Sequence, residues 1–272
     1  MIAPVAPTLT EKSEPGPGVE VFFPTLDAAA ATITVWRVAD GDREPVQGAQ
    51  RATVAGDFVV TDWGVPFGVP STYVGEIFDA AGASIMGGSS VIQVDRDEVR
   101  LSNPIDPEQT FTIELQASSL QDVQRGTNNQ RVYVVGVPRP FNQFWGEGAL
   151  QNIPLEVWSR NEQETANMMS LTSAGQWLIR TPPKFVTLPR LLYVSLQPPK
   201  HGYQKMWDPD NPIVWTLTVD EVQPISKAII RPLITWDDWS AAFPAADYTW
   251  DDVMAVYAAG TWTDAIRNPP NA

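Results

Sequence analysis

Thirty-two acidic side chains stand beside a single histidine, His201, and no cysteine. That inventory narrows the chemistry open to the chain. Ser-His-Asp catalysis and two-histidine metal sites both depend on imidazole, and His201, flanked by Lys200, Gly202 and Tyr203, reads as part of a surface loop. Without thiols there is neither a disulfide framework nor a thiolate metal site, which fits folding in a reducing cytoplasm. Carboxylates alone suffice for glycoside hydrolysis when two of them face a cleft roughly 5–10 Å apart, so a glycosidase stands as a minor reading. Asp95, Asp97 and Glu98 would suit a hard cation, but they lack the glycine and distal glutamate of an EF-hand loop and read as a solvated charge run. Gly146-Glu147-Gly148 has neither the lysine nor the helix start of a phosphate loop. The expectation is a chain that is not an enzyme, with no catalytic residue, metal site or cofactor.

The residue in excess is tryptophan, with 11 copies. Thr235-Trp236-Asp237-Asp238-Trp239 recurs 14 residues on as Thr249-Trp250-Asp251-Asp252-Val253, and 12 further as Thr261-Trp262-Thr263-Asp264-Ala265. Each unit opens on a threonine able to cap a helix, with an aspartate at N3 to reach back. Apolar residues follow at helical spacing: Trp236, Trp239 and Phe243, then Trp250, Val253 and Tyr257, then Trp262 and Ile266. Helices of two turns do not hold alone in water, so these segments predict docking, and the eight residues just named are the expected subunit interface. Aromatic side chains bury large areas and dominate interface hot spots. The rival reading of the same rings is a set of sugar platforms in a carbohydrate-binding module. The two separate cleanly, because platforms leave indoles exposed in a groove and docking helices bury them.

The elements that must carry these residues are mostly strands. The clearest unit runs from Ile153 to Arg180. Ile153, Leu155 and Val157 alternate with Pro154, Glu156 and Trp158 as a strand with one buried face. Asn161 and Glu164 then have the spacing of a capping box, and Glu162 and Glu164 suit the positive end of a helix. Ala166, Met168, Met169 and Leu171 supply an apolar face, Gly175 is placed for a C′ cap, and Gln176 to Arg180 returns to strand. One short helix between strands predicts a β-barrel or sandwich with a helix closing one end.

Ahead of that unit, residues 1–18 read as an extended lead-in, followed by strands near Val19–Phe23, Ile33–Val38, Phe58–Val60, Pro70–Asp79 and Ser89–Val94. Strands and turns at this spacing predict a sandwich of the immunoglobulin or fibronectin type III kind. Pro70-x-x-Tyr73 with the alternation after it resembles the penultimate strand of fibronectin type III domains, and Trp36 resembles their early core tryptophan. The charged and proline-rich stretch Asp95–Pro107 marks a boundary. Beyond it, strands are expected at Thr110–Leu115, Arg131–Val137, Arg190–Leu196 and Ile213–Val219, with a polar loop over Ser118–Asn129. Three parts result: 1–95 as the sandwich, 96–225 as a second β domain, and 226–272 as a docking tail with short helices.

Composition agrees with that plan. A hydrophobic content of 43% in 272 residues is globular, and 25 prolines with 18 glycines favour short strands and many turns. Met1-Ile2-Ala3-Pro4 lacks the basic and apolar regions of a signal peptide, and no apolar run reaches the roughly 20 residues of a membrane span. The net charge of −14 repels phosphate backbones, which argues against sequence-specific nucleic-acid binding.

Three features together resemble minor tail proteins of siphophages that infect actinobacteria. Val99-x-Leu101-Ser102-Asn103-Pro104-Ile105-Asp106-Pro107 resembles the linker before their second domain. Leu178-Ile179-Arg180-Thr181-Pro182-Pro183 resembles their apolar-Arg-Thr-Pro-Pro strand end, and the Thr-Trp-x-Asp repeats resemble their C-terminal units. The resemblance covers about residues 95–267 and departs from the family at Phe141-Asn142-Gln143-Phe144-Trp145, where a shorter hairpin is expected. It implies a distal-tail-like or tail-tube-like β domain in the tail tip or baseplate, assembled in the host cytoplasm into the virion. The implied partners are tail-tube, baseplate-hub and other minor tail proteins, with the chain itself in a homo-oligomeric ring around the tail channel. In the carbohydrate reading, the same particle would contact the host envelope.

Overall fold

The computed structural model describes residues 4–116, 125–132, 139, 141–203 and 212–224. These fall into two compact units, one of residues 4–63 and 70–92, the other of residues 64–69 and 93–224. Both are mainly β.

The first unit contains β1 (Thr8–Lys12), β2 (Gly18–Phe23), β3 (Ala30–Ala39), β4 (Asp42–Pro45), β5 (Ala52–Thr53), β6 (Phe58–Asp62), β7 (Ser71–Asp79) and β8 (Ser84–Ile92). One antiparallel sheet has the order β1-β2-β6 and the other β4-β3-β7-β8, with β5 also on β3. Period-2 alternation sends Val19, Val21 and Phe23 of β2 and Ile33 and Val35 of β3 into the core with Tyr73 and Ile77 of β7. Gly75 lets the sheets close, since a Cβ there would stand 2.7 Å from the Phe23 ring. Asp40 and Gly41, both at positive φ, make the two-residue turn between β3 and β4.

Two expectations change here. The lead-in contains β1, whose register from Thr8↔Phe22 to Lys12↔Gly18 is reinforced by the Lys12–Glu20 ion pair at 3.0 Å. Trp36 is not a core residue. It occupies the face of β3 opposite Ile33 and Val35, where its Nε1 donates to Glu76 Oε2 at 2.9 Å and Arg43 lies 4.2 Å from its ring.

The second unit contains β9 (Val99–Ser102), β10 (Thr110–Leu115), β11 (Arg125–Val132), β12 (Phe141–Leu150), β13 (Ile153–Ser159), α1 (Glu162–Ser170), β14 (Trp177–Arg180), β15 (Leu191–Leu196), β16 (Lys200–Tyr203) and β17 (Ile213–Glu221). The order β13-β10-β9-β14-β15-β17 closes on itself because β17 also pairs with β13, from Ile153↔Val219 to Ser159↔Ile213. The result is an antiparallel barrel of six strands, filled by side chains as small barrels are. β11 and β12 form a separate two-stranded ribbon with irregular register.

Val99–Ser102, expected as linker, is a barrel strand paired on both sides, with Val99 and Leu101 buried. Within the expected loop over Ser118–Asn129, the described residues from Arg125 onward belong to β11; residues 118–124, and residues 133–137 of the strand expected over Arg131–Val137, lie outside the described residues. His201 lies in a strand, too. β15 and β16 run along one edge of β17, where the five residues from Leu196 to Lys200 oppose the four from Val219 to Thr216. Pro198 and Pro199 fall in that bulge, which accommodates residues that cannot donate to a ladder.

The helix sits where the sequence puts it. Asn161 Oδ1 accepts from the Glu164 backbone N–H at 2.8 Å, and Glu164 reaches back to the backbone N–H of Arg160 at 2.7 Å. Met168 and Leu171 enter the barrel core, while Met169, 100° further round the helix, is 59% exposed. Gly175 is not a left-handed C′ residue; the helix instead tightens into a 3-10 turn over Leu171–Ser173 and leaves through extended Ala174. Trp177 Nε1 donates to Leu171 O at 2.9 Å, which ties the end of the helix segment to β14.

Candidate functional site

Among the described residues, an open groove of about 430 Å³ lies beside the start of α1. Ser159 from the end of β13, Arg160, Asn161 and Glu162 form one side; Thr165, Ala166 and Met169 of α1 and Ile213 of β17 complete it. Its position follows from the chain path, since the strand end, the helix cap and the first residue of β17 meet there.

Ser159, Arg160, Asn161 and Thr165 of its lining are already engaged. Ser159, 2% exposed, accepts from Trp215 Nε1 at 2.8 Å and shares a hydrogen bond with the Thr165 hydroxyl at 3.1 Å. Arg160 donates to Glu114 Oε1 at 2.8 Å and leans over the Trp158 ring at 5.5 Å. Asn161 Nδ2 donates to Glu164 Oε1 at 2.6 Å. The surface left open is the apolar wall of Ala166, Met169 and Ile213. Such a groove can receive an apolar side chain, and Ser159, Arg160, Asn161 and Thr165 beside it hold the local fold. Sequence periodicity misplaced Met169 because it grouped this side chain with Met168 and Leu171, although the three-residue spacing pairs Met168 with Leu171 on one face and Ala166 with Met169 on another.

The carboxylates that are buried serve structure as well. Asp62 binds Arg37 Nη1 through both oxygens, at 3.0 and 2.8 Å, and accepts from Tyr73 OH at 2.8 Å. Glu20 is held by Lys12. The alternation Ile33, Val35, Arg37 was the available signal that Arg37 points inward. Asp95 accepts from Gln93, and Glu98 from Arg100, so these members of the candidate cation cluster are engaged with separate neighbours. Among the described residues, no group of three or more His, Asp or Glu side chains could hold a metal ion.

The tryptophans with described surroundings are not laid out as open platforms. Trp177 and Trp215 are core residues, with Phe111 5.5 Å from Trp177 and His201 4.7 Å from Trp215 between ring centroids. Trp36, Trp63 and Trp158 are half-buried, Trp63 against Gly18 and the others beside arginines. The eight expected interface residues, Trp236, Trp239, Phe243, Trp250, Val253, Tyr257, Trp262 and Ile266, lie outside the described residues. The strand-end motif is described: Arg180 and Thr181 are buried, and the Thr181 hydroxyl donates to Pro189 O at 2.9 Å. No helix among the described residues is long and apolar enough to cross a membrane. Neither a protein-family model nor a curated protein matches the sequence.

Proposed function

We propose that the chain is a non-enzymatic structural protein of a phage tail tip or baseplate, which binds neighbouring tail subunits and helps to form or extend the ring around the tail channel. The observation that carries this reading is the six-stranded antiparallel barrel with α1 carrying the chain from β13 to β14, past β10 and β9. That is the strand-helix-strand barrel layout expected of a distal-tail-like or tail-tube-like domain. The first unit supports the finer fibronectin type III reading, because its orders β1-β2-β6 and β4-β3-β7-β8 correspond to sheets ABE and C′CFG of such sandwiches. Tyr73, near the start of β7, donates to Asp62 at the end of β6, in the manner of a tyrosine corner with a carboxylate as acceptor.

On this reading, the apolar wall beside α1 and the Thr-Trp-Asp segments are contact surfaces for tail-tube, hub or other minor tail proteins. The acidic charge of −14 keeps passing DNA from sticking to the assembly. Electron microscopy of particles labelled on this chain tests the role. Label at the tail tip supports it; label confined to the lysate, with tails complete in a strain lacking the gene, contradicts it.

A further inference from the structure

Connections between strands run over protein surfaces, because a buried connection leaves backbone groups in need of partners. Residues 64–69, which join β6 to β7 in sequence, depart from that habit. Gly64, Val65, Pro66 and Phe67 are buried in succession, with Val65 and Phe67 at 0% exposure. The segment belongs to the barrel unit and not to the unit that holds the strands on either side of it. Its backbone is paired there: Phe67 makes a parallel bridge with Val94, and Gly68 N–H donates to Val94 O at 2.9 Å.

Side chains fix it as firmly. The Phe67 ring centroid lies 4.7 Å from the guanidinium carbon of Arg180, the last residue of β14. Arg180 is 1% exposed, and its Nη2 donates to Ser102 Oγ of β9 at 3.3 Å. A guanidinium withdrawn from water is costly unless its faces and edges meet fixed partners, and an aromatic face is one such partner. Gly68 is required twice over. Its φ of +68° is in the left-handed region, and a Cβ would stand 2.2 Å from Pro183 Cγ in the turn after β14.

We propose that residues 64–69 are a strap that completes the barrel unit, with Phe67 as the cover over the Arg180 guanidinium and Gly68 as the residue that lets the strap seat against Pro183. The barrel unit is then discontinuous in sequence, and a chain without this strap carries an incomplete one. This inference stands apart from the tail-protein reading, since it rests only on contacts within the unit.

Amide hydrogen exchange on the full chain tests it. The Gly68 amide should exchange as slowly as the paired amides of β9 and β14; exchange at the rate of an open peptide overturns the proposal. In Phe67→Ala and Gly68→Ala chains, protection in β9 and β14 should fall by about tenfold or more while β2 and β6 keep theirs. Unchanged β9 and β14 protection in both variants would equally overturn it. If either variant fails to fold, the wild-type Gly68 amide still decides.

Discussion

The sandwich and the barrel solve the same problem, fixing one layer of β-structure against another, by different means. The sandwich has open sheets, and a buried polar cluster joins them. Arg37 on β3 and Tyr73 on β7 both bind Asp62 on β6, across the core, and Arg37 Nη2 also donates to Glu44. The barrel closes by its own ladder, from β13 round to β17, so strand pairing fixes its geometry. Its interior is accordingly filled by apolar and indole side chains, with Met168 and Leu171 supplied by the helix segment. Closure removes the need for a cross-sheet ion cluster, whereas two facing sheets are held in place by one.

The sharpest way to break that contrast is Asp62→Ala. It leaves the Arg37 guanidinium buried without its main counter-charge, and removing one partner of a buried pair costs about 3–5 kcal/mol. Chemical denaturation followed by hydrogen exchange should find the loss in β3, β6 and β7, with β13 and β17 unaffected. Equal loss in both units would mean that they do not differ as described. Leu171→Ala is the mirror experiment. Truncating this core leucine should cost about 2–5 kcal/mol and lower protection across β13 and β14. A change under about 0.5 kcal/mol, the scale of a surface substitution, would make the helix peripheral to the barrel.

Much of the barrel's local plan was legible, and its closure was not. Alternation located Thr110–Leu115 and Ile153–Ser159, and the spacing of Asn161 and Glu164 located the helix start. These signals are local, because a buried face or a cap writes itself into neighbouring residues. Pairing between Ile153 and Val219 leaves no such trace, since either strand alone has the same period whatever it pairs with. β1 escaped for a related reason: its residues are exposed or half-buried, and its partner β2 defines it. β9 is four residues long between a charge run and Asn103-Pro104, too short for periodicity to speak. The groove beside α1 was illegible because it depends on Ile213, more than forty positions from the helix cap.

Smaller effects sharpen the account of the helix. Asn161→Ala removes the N-cap acceptor and should cost about 1 kcal/mol, read as a shift in the barrel's unfolding midpoint with the sandwich unchanged. Met169→Ser should change stability by less than about 0.5 kcal/mol, because the side chain is largely in water. A loss from Met169→Ser matching that of Leu171→Ala would contradict the assignment of inner and outer faces.

The proposed role assigns its docking contacts chiefly to the Thr-Trp-Asp segments, so deletion from Thr235 onward tests assembly most directly. Circular dichroism should retain the β signature of the strands from Thr8 to Glu221, while the truncated chain fails to enter assembled tails. Loss of a central interface tryptophan alone typically costs more than about 2 kcal/mol of binding, so removing the segments together should abolish incorporation. A truncated chain that folds and is incorporated into tails at the full-length level would contradict the role given to those segments.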